Sequence, residues 1–101
     1  MKKVFISQPM VNKTDEEIKT VRNKIIEEIR TYIDDDVEII DSFFEGAPHD
    51  AKPLWFLGKS LQLLSNADIA YFAKGWEKYR GCRIEHTCAV EYGLNVLEEN
   101  E

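Results

Sequence analysis

The chain has 101 residues, 44 % hydrophobic and 32 % charged, with 13 basic against 19 acidic side chains and a net charge of −6. That is one domain's worth of sequence, because two separate cores of half the size would bury too little surface to be stable. The composition is too apolar for a disordered tail, and no run approaches the roughly 18 consecutive apolar residues of a membrane span. The acidic balance argues against a nucleic-acid polymer as partner, since a polyanion needs a basic surface. A single nucleotide stays open, because backbone amides and helix ends can hold one.

The amino terminus opens on Val4-Phe5-Ile6, a short β-branched and aromatic run ended by Ser7-Gln8-Pro9. It predicts a first, buried strand. Its apolar part falls short of the roughly 7–15 residues of a signal-peptide core. Thr14-Asp15-Glu16-Glu17 has the form of a capping box, with Thr14 as N-cap and Glu17 reaching back. Ile18, Val21, Ile25, Ile29 and Ile33 follow as one apolar stripe on a helix. Lys13, Lys19, Arg22, Lys24 and Glu28 fall off that stripe and are expected on its solvated face.

Asp34-Asp35-Asp36 marks a turn, and Val37-Glu38-Ile39-Ile40 a second strand. Residues 41–52 form a loop, long for a strand-to-helix connection, and long loops in compact domains tend to be functional. Pro53 suits the first turn of a second helix carrying Leu54, Leu57, Leu61 and Leu64. Ala67-Asp68-Ile69-Ala70-Tyr71-Phe72 predicts a third strand. A third helix is expected over about 81–92, with Gly93 as its left-handed cap. Leu94-Asn95-Val96-Leu97 completes the series.

Strands and helices thus alternate through a single domain spanning 1–101. This is the α/β class, with a short parallel sheet and right-handed crossovers. A strand order of 2-1-3-4 places the first helix on one face and the other two opposite. The face over the third and fourth strands then lacks a covering helix, which parallel sheets rarely tolerate. A second copy of the chain is expected to cover it, making the protein a homo-oligomer.

Ligands of open α/β sheets bind beyond the carboxyl ends of the strands, here the segments 7–14, 41–52 and 73–85. No dinucleotide or P-loop fingerprint occurs in them, and neither histidine has metal-site spacing with a cysteine. No cofactor and no metal are therefore expected. Cys82 and Cys88, on one predicted helix, point apart and read as reduced residues of a cytoplasmic protein. A helix start can lower the pKa of a thiol such as Cys82, yet no triad partner is evident. Glu85 falls near the start of the third helix, beside the end of the first strand. A carboxylate there either complements the helix dipole, pairs with Arg83, or attacks the anomeric carbon of a bound sugar. Phe43, Phe44, Trp55 and Trp76 are candidates to stack a base, or else complete a core. Arg80 and Arg83, with Lys78, suit a phosphate.

The pattern Gly81-x-x-x-Glu85-x-x-x-Ala89-x-x-x-Gly93, following a strand and a Gly75-Trp76 loop, resembles the nucleoside 2-deoxyribosyltransferase superfamily. It is similar above all to small, often prophage-encoded members. The strand leading into Ser7-Gln8-Pro9-Met10 and the Asp68 that opens the third strand fit the same pattern, so the likeness spans essentially the whole chain. It implies a flavodoxin-like three-layer sandwich, oligomeric assembly, and a nucleophilic glutamate at Glu85. The implied reaction transfers deoxyribose between bases or hydrolyses an N-glycosidic bond. Ser7, Gln8 and Met10 would shape the base or sugar pocket, Ser60 and Asp68 would support the sugar, and Arg80 would hold a 5′-phosphate. Two acidic positions of the family are Ser60 and Tyr79 here, so His86, His49 or Asp41 would have to supply the proton for the leaving base. The alternative is a nucleotide-binding or sensing module without turnover, in phage–host conflict; a third reading is an oligomeric scaffold.

Overall fold

The computed structural model describes residues 1–33, 36–42 and 49–99. Four parallel strands, β1 (Lys3–Ser7), β2 (Glu38–Ile39), β3 (Ile69–Phe72) and β4 (Asn95–Glu98), form one sheet in the order β2-β1-β3-β4. The connections carry helices α1 (Asp15–Tyr32), α2 (Pro53–Leu64) and α3 (Arg80–Glu91), with a short 3₁₀ turn over Trp76–Lys78 before α3. This α/β class and strand order are those expected from the sequence, and they are consistent with a flavodoxin-like sandwich. Among the described residues no helix is long and apolar enough to cross a membrane.

Helix α1 packs on one face of the sheet and α2 with α3 on the other, with Val96 and Leu97 of the edge strand β4 only half-buried, and strand alternation decides which residue serves which face. Val4 and Ile6 of β1 join Ile69 and Tyr71 of β3 under Ile25 and Ile29 of α1. Phe5, Ala70 and Phe72 point the other way, against Leu64 of α2 and Ala89 of α3. Ala70 and Ala89 are both fully buried, and their small side chains suit a close approach of α3 to β3.

Helix α1 begins as its sequence implies. The Glu17 amide donates to Thr14 Oγ1 at 3.1 Å, and the Thr14 amide donates to Glu17 Oε1 at 3.2 Å. Its inner stripe differs from the expected one. Ile18, Arg22, Ile25 and Ile29 are buried, whereas Val21 and Ile33 are 44 % and 40 % exposed. Arg22 is thus not on the solvated face. Its two terminal nitrogens donate to the Ile40 carbonyl at 2.7 Å and to Ser42 Oγ at 3.1 Å, so the buried guanidinium is hydrogen-bonded. Burial lowers the pKa of Arg22 from its ordinary value, and the nearby Asp41 charge opposes that shift.

Gly93 adopts φ +76° after α3, the left-handed cap expected of it. Cys82 and Cys88 are both free. The turn at Asp34-Asp35 and the aromatic pair Phe43 and Phe44 lie outside the described residues. Ile25→Ala is expected to destabilise the protein by about 2–5 kcal/mol through the cavity it leaves. Val21→Ala should change stability by less than about 0.5 kcal/mol. Urea unfolding of the two variants checks which residue carries the stripe.

Candidate functional site

The site grows from the carboxyl end of β1. Ser7 follows Phe5 on the α2/α3 side of the sheet, because alternate residues share a face. On α3, Cys82, Glu85 and Ala89 occupy one inward stripe at spacings of three and four. That stripe brings Glu85 under the sheet end, where Ser7 Oγ donates to Glu85 Oε1 at 2.6 Å. Ser60 of α2 lines the same wall and favours the ionised form of this carboxyl. The Ser7–Glu85 bond therefore joins β1 to α3.

Glu85 is only 7 % exposed. Burial raises its pKa above the ordinary glutamate value, and the hydrogen bonds from Ser7 and Ser60 partly oppose the rise. Cys82, beside it, is pushed up to about 11, first by burial and further by the Glu85 charge. Its position near a helix start is thus accompanied by a raised, not a lowered, thiol pKa.

Above the carboxyl lies an open cleft of about 860 Å³ between α2 and α3. Ser7, Gln8 and Ser42 line its strand side, and Leu57 and Ser60 its α2 wall. Both flanking helices start at its mouth. Neither α2 nor α3 has a side-chain cap or an acidic residue in its first turn, in contrast to α1. Lys52 and Arg80, both exposed, line the cleft at these two starts. The uncapped amino end of α3 and the two cations make the mouth attractive to an anion. The rim is apolar: Leu54, Phe56 and Ile84 are 74 %, 37 % and 37 % exposed.

Of the residues singled out in the sequence, Ser7, Gln8, Met10, Ser60, Arg80 and Glu85 all line this cleft. Asp41 and Asp68 do not. Asp41 is exposed, and it is the following residue, Ser42, that is buried and faces the cleft. Asp68 lies at the amino end of β3, where its Oδ2 accepts from the Lys3 amide at 2.8 Å. Because Val4 pairs with Ile69 and Ser7 with Phe72, Asp68 is a strand's length from Ser7, on the order of 13 Å at ~3.3 Å per residue. It staples the far end of the sheet.

The proposed proton donors are also elsewhere. His86 stacks on Trp76, with ring centroids 4.0 Å apart, and its Nε2 lies 2.9 Å from Glu98 Oε2. His49 is exposed and does not line the cleft. Glu85 is the one carboxyl on the described cleft wall. Trp76 packs with Phe72 in the core, Trp55 lies edge-on to Phe56 beneath Lys59, and Arg83 donates to the Glu77 carbonyl. Ser42 and Arg22 were missed by pattern reasoning. The signal for Ser42 was its position three residues after β2 at the carboxyl end of the sheet. Arg22 carried no such signal, since a charged residue between buried isoleucines reads as surface.

No protein-family model matches the chain, and no curated protein matches it either.

Glu85 makes stability depend on pH. Its folded-state pKa lies above the unfolded one, so folding favours the protonated form. That contribution is fully present below the ordinary glutamate pKa and is lost as pH rises through the raised value. Glu85→Gln is therefore expected to have a higher Tm than the unsubstituted chain at neutral pH. The difference should shrink as pH falls below the ordinary glutamate range, read by thermal unfolding across a pH series.

Proposed function

We propose that the protein acts on the N-glycosidic bond of a nucleoside or nucleotide, with Glu85 as nucleophile. The observation that carries this reading is a single buried carboxyl, held by Ser7 and Ser60, at the base of an apolar cleft with a cationic mouth. Its place at the carboxyl ends of parallel strands is where α/β sheets bind small ligands. The likeness of Gly81-x-x-x-Glu85-x-x-x-Ala89 to the deoxyribosyltransferase pattern points the same way.

In this reading the ionised Glu85 attacks the anomeric carbon as the bond to the base nitrogen breaks, forming a glycosyl ester. The bonding pair leaves with the base, which takes a proton from water. An acceptor base or water then attacks the same carbon and releases the carboxylate. Ser7 and Ser60 hold the attacking oxygen in place, and their hydrogen bonds keep part of the carboxyl ionised against its burial. Arg80, with Lys52 and the open amino end of α3, would receive a 5′-phosphate. The absence of a second carboxyl on the described wall favours slow turnover, since general acid catalysis is worth about 10²–10⁴-fold. The same feature favours the second reading, a nucleotide-binding module without turnover.

Incubation with deoxynucleosides, ribonucleosides and their monophosphates, with and without an acceptor base, separates the two readings. The enzyme reading expects free base that Glu85→Gln abolishes while binding persists, and a rate that rises as pH climbs through the raised Glu85 pKa. Binding with no base released leaves the non-catalytic module. No binding to any member of the panel overturns both.

We further infer a cytoplasmic homo-oligomer. The exposed Leu54, Phe56 and Ile84 at the cleft rim supply apolar area for a second copy to cover. Sedimentation at micromolar concentration is expected to give a species larger than the monomer; a monomer alone sinks this inference.

A further inference from the structure

The carboxyl at the base of the cleft is buried without a counter-charge among the described residues. Glu85 is 7 % exposed, and the groups beside it are neutral. Ser7 Oγ donates to its Oε1 at 2.6 Å, and Ser60 lines the same wall. The Cys82 thiol, pushed up to about 11, stays protonated at neutral pH. On α3 it is His86, the next residue, that pairs with an acidic side chain, Glu98. The cations that line the cleft, Lys52 and Arg80, are exposed at its mouth. Arg80 opens α3 and stands about 7.5 Å from Glu85 along the axis, at roughly 1.5 Å per residue.

A buried carboxylate is costly without a positive partner, and a ligand can be that partner. The cleft is thus polarised, positive at its mouth and negative at its base. Nor does the described wall offer an acid for a departing base. The Cys82 thiol is too weak an acid. His86 is engaged with Trp76 and Glu98, and Asp68 holds the Lys3 amide at the other end of the sheet. A neutral purine or pyrimidine leaves poorly without a proton. A heterocycle that already carries a positive charge leaves neutral and needs none.

We propose that the substrates of this cleft are N-glycosides whose heterocycle is cationic, an N-glycosyl pyridinium or an N7-alkylated purine nucleotide. The inference rests on the reading of Glu85 as the nucleophile of an N-glycosidic site, and it names the substrate class of that site. The charged ring supplies the counter-charge that Glu85 lacks, while a phosphate on the same molecule meets Lys52 and Arg80. A cation beside Glu85 also favours the carboxylate, against the burial that holds it protonated. Glu85 attacks the anomeric carbon as the carbon–nitrogen bond breaks. The bonding pair passes to the ring nitrogen and cancels the charge of the ring. Water then attacks the anomeric carbon of the glycosyl ester, releasing the carboxylate and one proton to solvent.

The test follows base release by the full chain from two matched pairs, each in ribo and 2′-deoxy form. One pair is nicotinamide mononucleotide against its dihydro form; the other is N7-methylguanosine 5′-monophosphate against guanosine 5′-monophosphate. In at least one pair the cationic member is expected to have a kcat/KM about 10²-fold or more above its neutral partner. Glu85→Gln is expected to abolish that release, which also separates it from spontaneous cleavage. The rate for the cationic member should rise with pH to a plateau, without the fall that loss of an acid group produces. A smaller ratio in both pairs, or release that survives Glu85→Gln, overturns the substrate class. Base released from neutral members alone overturns the substrate class and leaves the N-glycosidic site standing. No base from any compound, cationic or neutral, overturns the site and the inference with it.

Discussion

Strand β1 is paired on both edges, with β2 on one side and β3 on the other, and its residues Val4 to Ser7 are all buried. Everything that forms the cleft is referenced to it. Two of its side chains anchor the α1 face and one the opposite face. The residue that ends it, Ser7, reaches across to α3. A parallel sheet requires cover on both sides, so the direction of each β1 side chain determines which helix it meets. The Ser7–Glu85 hydrogen bond is then the point at which strand pairing and helix packing meet.

That bond has an energetic character of its own. A carboxyl placed in the inner stripe of α3, between Cys82 and Ala89, is desolvated where an alanine or leucine would simply pack. Two hydroxyls offset part of the penalty, and the remainder appears as a raised pKa. Groups whose pKa is displaced by burial in a cleft are where reactive chemistry tends to sit. A second polar element, Arg22 with Ser42 and the Ile40 carbonyl, ties α1 to the end of β2 and holds Ser42 at the cleft. Gln8 adds a third tie, to Ile18 one turn earlier on α1. The strand side of the cleft is thus braced from α1, and its carboxyl side from α3.

The fold was legible because it is written in local patterns. The capping box at Thr14, the proline opening α2, the glycine closing α3 and the β-branched runs each act over a few residues. Most of the candidate site was legible for a related reason: short segments after parallel strands converge at one end of the sheet. Asp68 went the other way, because it precedes its strand and so belongs to the opposite end. Asp41 and Ser42 differ by a single step, and alternation turns one outward and the other in. Arg22 escaped because its charge says surface, while its hydrogen bonds come from residues 18 and 20 positions away in the chain.

From residues alone one could read an acidic single domain, its strand and helix order, its parallel topology, and Glu85 as the carboxyl near a helix start. Those follow from local propensity, spacing and the handedness of crossovers. Three-dimensional packing decided that Glu85 is buried, that Ser7 donates to it, that burial pushes the Cys82 thiol up, and that Gln8 keeps an unspent oxygen among the described residues. Burial and hydrogen-bond partnership are sums over distant segments. Ser7 and Glu85 lie 78 residues apart, and no window along the chain contains both.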